Sequence, residues 1–309
     1  MFKYKKKEKN QERLINVNEN NNIWIDAENL SKEEVKEISK EFNLDEGLLE
    51  DAKDIFESPR VEFDKENKTF YIFSRYPIEK KYDNLVTLPY LIIFRKNFFM
   101  TVFNGNKTPF FIEDLRNEKN QAFNTKDKFT ILYFILKRIN QKYQQEFRKI
   151  NKEVLQDKAN IKTITDKEIE RFVDLETVLN EYLNSLIPFE NELRTLLKHE
   201  HINLQEEEKD ELEDIILAKN QLINTGKNIL KLIQNIRSAF EIIATNKLNR
   251  TVTKLTIITV VLTIPTMVAG LFGMNVPNNW EHSQNAFWWI TSFSFLLSII
   301  FIILLKKEK

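Results

Sequence analysis

The chain has 309 residues, enough for one sizeable soluble domain and a small membrane part. Its 46 basic and 46 acidic side chains cancel to a formal net charge of zero, so the basic surplus that nucleic-acid binding needs is missing. Cysteine is absent, and His199, His201 and His282 are too few and scattered for a zinc site of ordinary spacing, so metal chemistry here must use oxygen ligands.

The chain opens on a basic tract, Lys3 to Lys9, which reads as a solvated tail rather than a lipid-binding patch. The alternation Ile23-Trp24-Ile25-Asp26 predicts a strand. Ser31 followed by Glu34 forms a capping box, so a helix starts there and runs to about Phe42. A second helix carries Leu48-Leu49-Glu50-Asp51. Strands are predicted over Val61 to Phe63, Thr69 to Arg75, Leu85 to Phe94 and Phe98 to Phe103, the last two joined by a hairpin turn at Arg95-Lys96-Asn97. Residues 1–125 therefore read as a mixed α+β head with an antiparallel sheet and flanking helices. No Gly-rich phosphate loop, nucleophile elbow or zinc-protease motif occurs in it, which leaves an enzyme the least supported class.

Residues 126–204 read as helices: one from Lys126 to about Lys158, another from Asp166 to about His199 opened by the capping pair Thr165 and Glu168. Pro188 removes a backbone donor and should kink or shift the second. A third helix begins near Gln205 and meets no stop until Gly270, roughly 100 Å at about 1.5 Å per residue. Its apolar positions Leu212, Ile215, Ile216, Leu222, Ile223, Leu230, Ile233, Ile236 and Phe240 need partners along the rod, and copies of itself are the economical choice.

The end of that helix, about 251–272, and the run Ala286 to Leu305 are each about 20 apolar residues, the length of a bilayer span. Lys247, Arg250 and Lys254 precede the first, Lys306, Lys307 and Lys309 follow the second in the tail 306–309, and the connecting loop 273–285 has no Lys or Arg. By the positive-inside rule both termini are cytoplasmic and the loop is outside, in a cell membrane crossed twice. Thr256, Thr259, Thr263, Thr266 and Gly270, extended through Val252 to Asn249, form a small, hydroxyl-bearing stripe at spacings of three and four. Such a stripe marks either close packing between two neighbouring helices or a wet lumen.

The first span closes on Gly273-Met274-Asn275, preceded by Asn249, Leu255-Thr256, Pro265, Gly270 and an aromatic at Phe272. In this setting the chain resembles the CorA-type magnesium channel family over nearly its whole length. The head phrases Ile23-Trp24-Ile25-Asp26, Leu48-Leu49-Glu50-Asp51 and Pro59-Arg60-Val61-Glu62 resemble that family's cytoplasmic domain, where the last is commonly Arg-Pro-Lys-Val-Glu. The resemblance implies a funnel-shaped homo-oligomer, a homopentamer, whose first membrane helix lines a pore for passive influx of hydrated Mg2+. It makes Gly273, Met274 and Asn275 the selectivity filter, Asn249, Val252, Leu255, Thr256, Thr259, Thr263, Thr266 and Gly270 the pore lining, and Glu281 an attractor of cations in the outer loop. It also places regulatory divalent-cation sites at Glu50, Asp51 and Asp214, through which cytoplasmic Mg2+ holds the pore shut. Ser238 stands where the family often has a further acid.

The loop Val276 to Asn285 departs from the family's Met-Pro-Glu-Leu segment, and Glu281 alone carries over. The acidic residues around Asp214 also fit a solvated face at a helix N-terminus. Hydrated divalent ions of similar size are poorly separated by oxygen ligands, so zinc, cobalt or nickel transport on the same fold stays open. So does a non-conducting, membrane-anchored sensor or scaffold. Beyond the bilayer, copies of itself and divalent cations, no nucleic acid, small-molecule substrate or organic cofactor is expected.

Overall fold

The computed structural model describes residues 2–7, 11–17, 23–82, 85–96, 98–105, 107–117, 128–158, 166–202, 204–274 and 284–307. The elements are β1 (Phe2–Lys7), β2 (Gln11–Val17), β3 (Ile23–Glu28), α1 (Lys32–Phe42), α2 (Glu46–Asp51), β4 (Arg60–Asp64), β5 (Thr69–Tyr82), β6 (Leu85–Arg95), β7 (Phe98–Phe103), α3 (Phe110–Asn117), α4 (Lys128–Lys158), α5 (Asp166–Leu197), α6 (Glu206–Phe272) and α7 (Ala286–Lys307). They form two compact units, Met1–Ile236 and Arg237–Lys309, and α6 runs through both.

Seven strands build one sheet in the order β1-β2-β3-β7-β6-β5-β4. Every neighbouring pair is antiparallel except β3 and β7, which run parallel with Ile23 opposite Phe98 and Glu28 opposite Phe103, so the sheet is mixed. The basic tract is no free tail: Lys3 to Lys7 lie in β1, where Phe2 faces Asn16 and Lys7 faces Gln11 of β2. β2 joins this edge hairpin to β3, with Leu14 opposite Asp26 and Val17 opposite Ile23. Residues 8 and 9 of the tract lie outside the described residues.

Period-2 alternation sends the two faces of the central strands to different layers. On one face Leu91, Ile93, Met100, Val102, Tyr71 and Phe73 pack with Val35 and Ile38 of α1 and Leu49 of α2. On the other, Tyr76 and Tyr90 meet Phe111 of α3, and Phe94 meets Phe129 of α4. With both faces covered, β6 and β7 are buried almost end to end, which explains their continuous apolar runs. The capping box opens α1 as expected: Glu34 N–H donates to Ser31 Oγ, and Ser31 N–H to the Glu34 carboxylate. Thr165 of the other expected cap, and Asn97 of the expected hairpin turn, lie outside the described residues. Pro188 sits inside an α5 that continues to Leu197.

Carboxylates on α5 dock it to the sheet through backbone donors. Glu181 Oε1 accepts from Val86 N, Thr87 N and Thr87 Oγ1 at 2.8, 2.8 and 2.9 Å, and Glu192 accepts from Val61 N at 3.2 Å. Arg75, buried in β5, donates to Thr87 Oγ1 and Thr87 O and to the carbonyls of Ile55 and Glu57, pinning the segment between α2 and β4. Burial lowers the pKa of this guanidinium, and its four acceptors keep every arm satisfied.

Seven of the nine apolar positions named on α6 find cover within the chain itself, while Leu230 and Phe240 are only partly buried. Leu212, Ile215, Ile216, Leu222, Ile223, Ile233 and Ile236 are buried in a single chain. At Gly226 an added Cβ would lie 3.0 Å from Leu183 of α5 and 3.1 Å from Phe147 of α4, so glycine lets the three helices converge. From Glu241 to Val252 every residue of α6 is exposed, Ile242 at 62%.

Candidate functional site

In the second unit α7 covers one side of α6. The partly buried positions Ile257, Val260, Val261, Ile264 and Val268 recur at spacings of three and four, and Ser298 of α7 reaches the Val261 carbonyl at 3.3 Å. At about 100° per residue, Val252, Thr259, Thr263, Thr266 and Gly270 lie well away from that side, and Asn249 and Thr256 lie toward its edge, near the direction of Val260. All seven are exposed, as is Leu255 beside them, and a side chain at Gly270 would meet nothing within 4 Å. The stripe is therefore not the surface that packs against α7. Both helices have windows long and apolar enough to cross a membrane, and large side chains such as Leu262, 64% exposed, cover their outer surface.

Each threonine of the stripe uses its hydroxyl proton locally. Thr256, Thr259, Thr263 and Thr266 donate to the carbonyls of Val252, Leu255, Thr259 and Leu262 at 2.8 to 2.9 Å. A hydroxyl that donates back to its own helix has its lone pairs left to accept, so the stripe presents acceptor oxygens one turn apart. The helix ends where Gly273 N–H donates to Ala269 O at 2.9 Å, with Met274 exposed beyond it. Asn275 and Glu281 lie outside the described residues.

The expected regulatory carboxylates fall in the first unit. Asp51, at the end of α2, pairs with Arg60 Nη2 at 2.7 Å, and Glu50 pairs with Lys53 at 3.1 Å. Arg60 also pairs with Glu57 and Glu62 and lies 4.1 Å over the Phe73 ring. Burial opposes its charge, but the bond to Glu62 and the charges of Glu57, Glu62 and Asp51 outweigh that and hold its pKa above the ordinary value. Asp214 is exposed on α6 and lines a cleft of about 480 Å³ against α4, with Lys137, Gln141, Gln144 and Arg148 around it. Among the described residues no three His, Asp or Glu side chains are grouped to hold a metal ion, so these carboxylates form no complete site within one chain. Ser238 is exposed on α6.

Two features had no signature in the sequence. Lys219 is wholly buried where α6 meets α4 and α5, its ammonium donating to Asn140 Oδ1 at 2.8 Å and lying 4.8 Å over the Phe189 ring. Burial pushes its pKa down to about 7, against the opposing pull of Glu190. The second is the Ser298 bond to α6, since a serine in an apolar helix does not announce which carbonyl it will meet.

The model of the family described as CorA-like Mg2+ transporter protein matches residues 19–307. The cobalt/magnesium transport protein CorA of Methanocaldococcus jannaschii is 24% identical over 300 residues, covering 93% of this chain and 90% of that protein. Its counterpart from Thermotoga maritima is 21% identical over 294 residues, covering 93% and 82%. The complete structure of the M. jannaschii CorA magnesium transporter superposes with a TM-score of 0.81 at 21% identity over 93% of this chain and 91% of that one, so the fold is shared.

Proposed function

The chain belongs to the CorA-like Mg2+ transporter family, and on that footing we propose that it conducts hydrated Mg2+ passively into the cell through a homo-oligomeric pore lined by α6. The observation that carries this reading is the exposed stripe of threonine acceptors on the side of α6 away from α7. Mg2+ holds its octahedral water shell tightly, so stripping it would face a large desolvation cost. Oxygens that only accept suit an ion that arrives wrapped in water, because each shell water offers them a proton. Closely spaced acceptors of similar strength pass the hydrated ion on without a deep well.

One helix cannot enclose a lumen, so a ring of identical chains is required, and five is the number the family implies. Asn275 supplies amide oxygens at the mouth behind Gly273 and Met274, and Glu281 raises the local cation concentration outside. Both termini are cytoplasmic: the basic residues flank the outer ends of the two spans, and Phe287, Trp288 and Trp289, exposed at the start of α7, suit the opposite interface. Mg2+ filling sites at Asp51, with Glu50, and at Asp214 of neighbouring chains offsets repulsion between them and closes the pore, which is feedback by the transported ion. In this chain Mg2+ must compete there with Arg60 for Asp51.

Flux of Mg2+ into liposomes carrying the purified protein, with and without Mg2+ inside, tests the reading. Flux that falls as the interior fills supports a self-limiting channel, and Asn275→Ala should alter its rate or ion preference. Flux only with zinc, cobalt or nickel keeps the fold and moves the substrate. Silence with every ion leaves the scaffold. Asp51→Ala with Asp214→Ala should leave flux less inhibited by internal Mg2+, and unchanged inhibition would sink the sensor assignment.

A further inference from the structure

We infer that Ser298 is a positioning residue of the ion pathway: its hydroxyl serves the Val261 carbonyl, which Pro265 leaves without a helical donor, and so fixes the turn of α6 that presents Thr259, Thr263 and Thr266. The inference rests on the reading that this stripe lines the pathway. In an unbroken helix the N–H of residue 265 would donate to the carbonyl of residue 261, but proline has no N–H and its ring crowds that carbonyl. Inside a bilayer no water is at hand to replace the lost bond, so the carbonyl needs a donor from the protein.

Ser298 supplies it. Its Oγ lies 3.3 Å from Val261 O and 3.0 Å from Ser294 O, so one proton is shared between the neighbouring helix and its own. Ser298 is 2% exposed, and Ser294, one turn earlier, is likewise buried and donates to Thr291 O at 2.8 Å. The threonines of α6 turn their hydroxyls back on their own helix, whereas this serine reaches across. Val261 lies between Thr259 and Thr263 in sequence, on the side of α6 that faces α7. A proline bend is a soft point in a helix, and its angle depends on what holds the freed carbonyl. With that carbonyl tied to α7, the hydroxyls on the far side keep one spacing. Untied, the bend can open toward the pathway and spread them.

Four variants of the full-length protein test this by two readouts, Mg2+ flux into liposomes and the melting temperature in detergent. Ser298→Ala should cut initial flux about fivefold, the factor expected for losing one net hydrogen bond at a step that depends on it. Ser298→Thr, which keeps the hydroxyl, should retain most of the flux. Pro265→Ala returns an N–H to the helix, so in that background Ser298→Ala should change neither flux nor melting temperature. Equal losses in both backgrounds, or a threonine variant no better than alanine, overturns the inference. So does a melting shift cancelled by Pro265→Ala with flux untouched, which leaves the bond purely structural. If the unaltered protein carries no flux, the pathway reading fails on its own, and the melting cycle still decides whether the bond couples the two residues.

Discussion

In the first unit the apolar faces of the sheet and of α4, α5 and α6 are covered by the chain's own elements, and buried polar groups such as Arg75 and Lys219 meet protein acceptors. In the second unit the relation is reversed. Leu255, Ile258, Leu262 and Met267 stand exposed around α6, and the hydroxyls among them are bonded only to their own backbone. The same helix, α6, obeys both regimes along its length. What differs is cover: in the head the chain buries its own apolar faces, whereas the large apolar side chains of the two membrane-length helices α6 and α7 stand uncovered within the single chain.

That contrast predicts that stability is written into the head and transport into the exposed stripe. The largest effect is expected at Gly226, where a side chain has no room against Leu183 and Phe147. Gly226→Leu should lower stability by about 3 kcal/mol or more, read as a large drop in melting temperature, because overpacking a three-helix contact forces backbones apart. Next comes Glu181→Ala, which strands two backbone N–H groups of β6 and should cost about 2 to 3 kcal/mol.

Lys219→Met removes an amine whose charged form burial disfavours but leaves Asn140 Oδ1 without its donor, so the two effects oppose each other and the net change at neutral pH should stay within about 1 to 3 kcal/mol. Its pH dependence is the sharper reading. The unfolded chain keeps the ordinary ammonium pKa of 10.5 while the folded value is about 7, so between those limits the unfolded state binds more protons and stability rises with pH. Below about 7 both states are protonated and the cost of burial is constant. The methionine variant should lose that rise, and melting curves from pH 6 to 10 check it; a rise that survives the substitution removes Lys219 as its source. The smallest effect on stability belongs to the stripe. Thr263→Val should shift the melting temperature by no more than about 0.5 kcal/mol's worth, as exposed changes do, yet lower Mg2+ flux. A loss of stability comparable to that at Gly226 would break the division between the two units.

The capping box at Ser31, the apolar runs of β6 and β7, the length of α6 and the two spans were all readable in the chain because each is a local pattern of period or charge. The candidate lining was readable for the same reason, as threonines repeated at helical spacing. The bonds from β6 to Glu181 of α5, Arg60 among Asp51, Glu57 and Glu62, and Lys219 donating to Asn140 were not, because their partners stand elsewhere in the chain and no periodicity announces them. The apolar face of α6 shows the same limit from the other direction: the pattern required something to cover Ile215, Ile223 and Ile233, but pattern alone has no address, and it suggested copies of the chain where α4 and α5 were available.

Sequence by itself thus determined most of the helices and central strands, the two membrane-length spans and the family, but not β1, β2 or α3, since what it determined depends on interactions within a few residues or on transfer of whole segments between water and lipid. Tertiary structure alone decided that β3 pairs parallel with β7, that the stripe turns away from α7, and that Ser298 meets the carbonyl freed by Pro265. Those are matters of direction and distance between residues far apart in the chain, and they are fixed only when the packing of one element limits where the next can go.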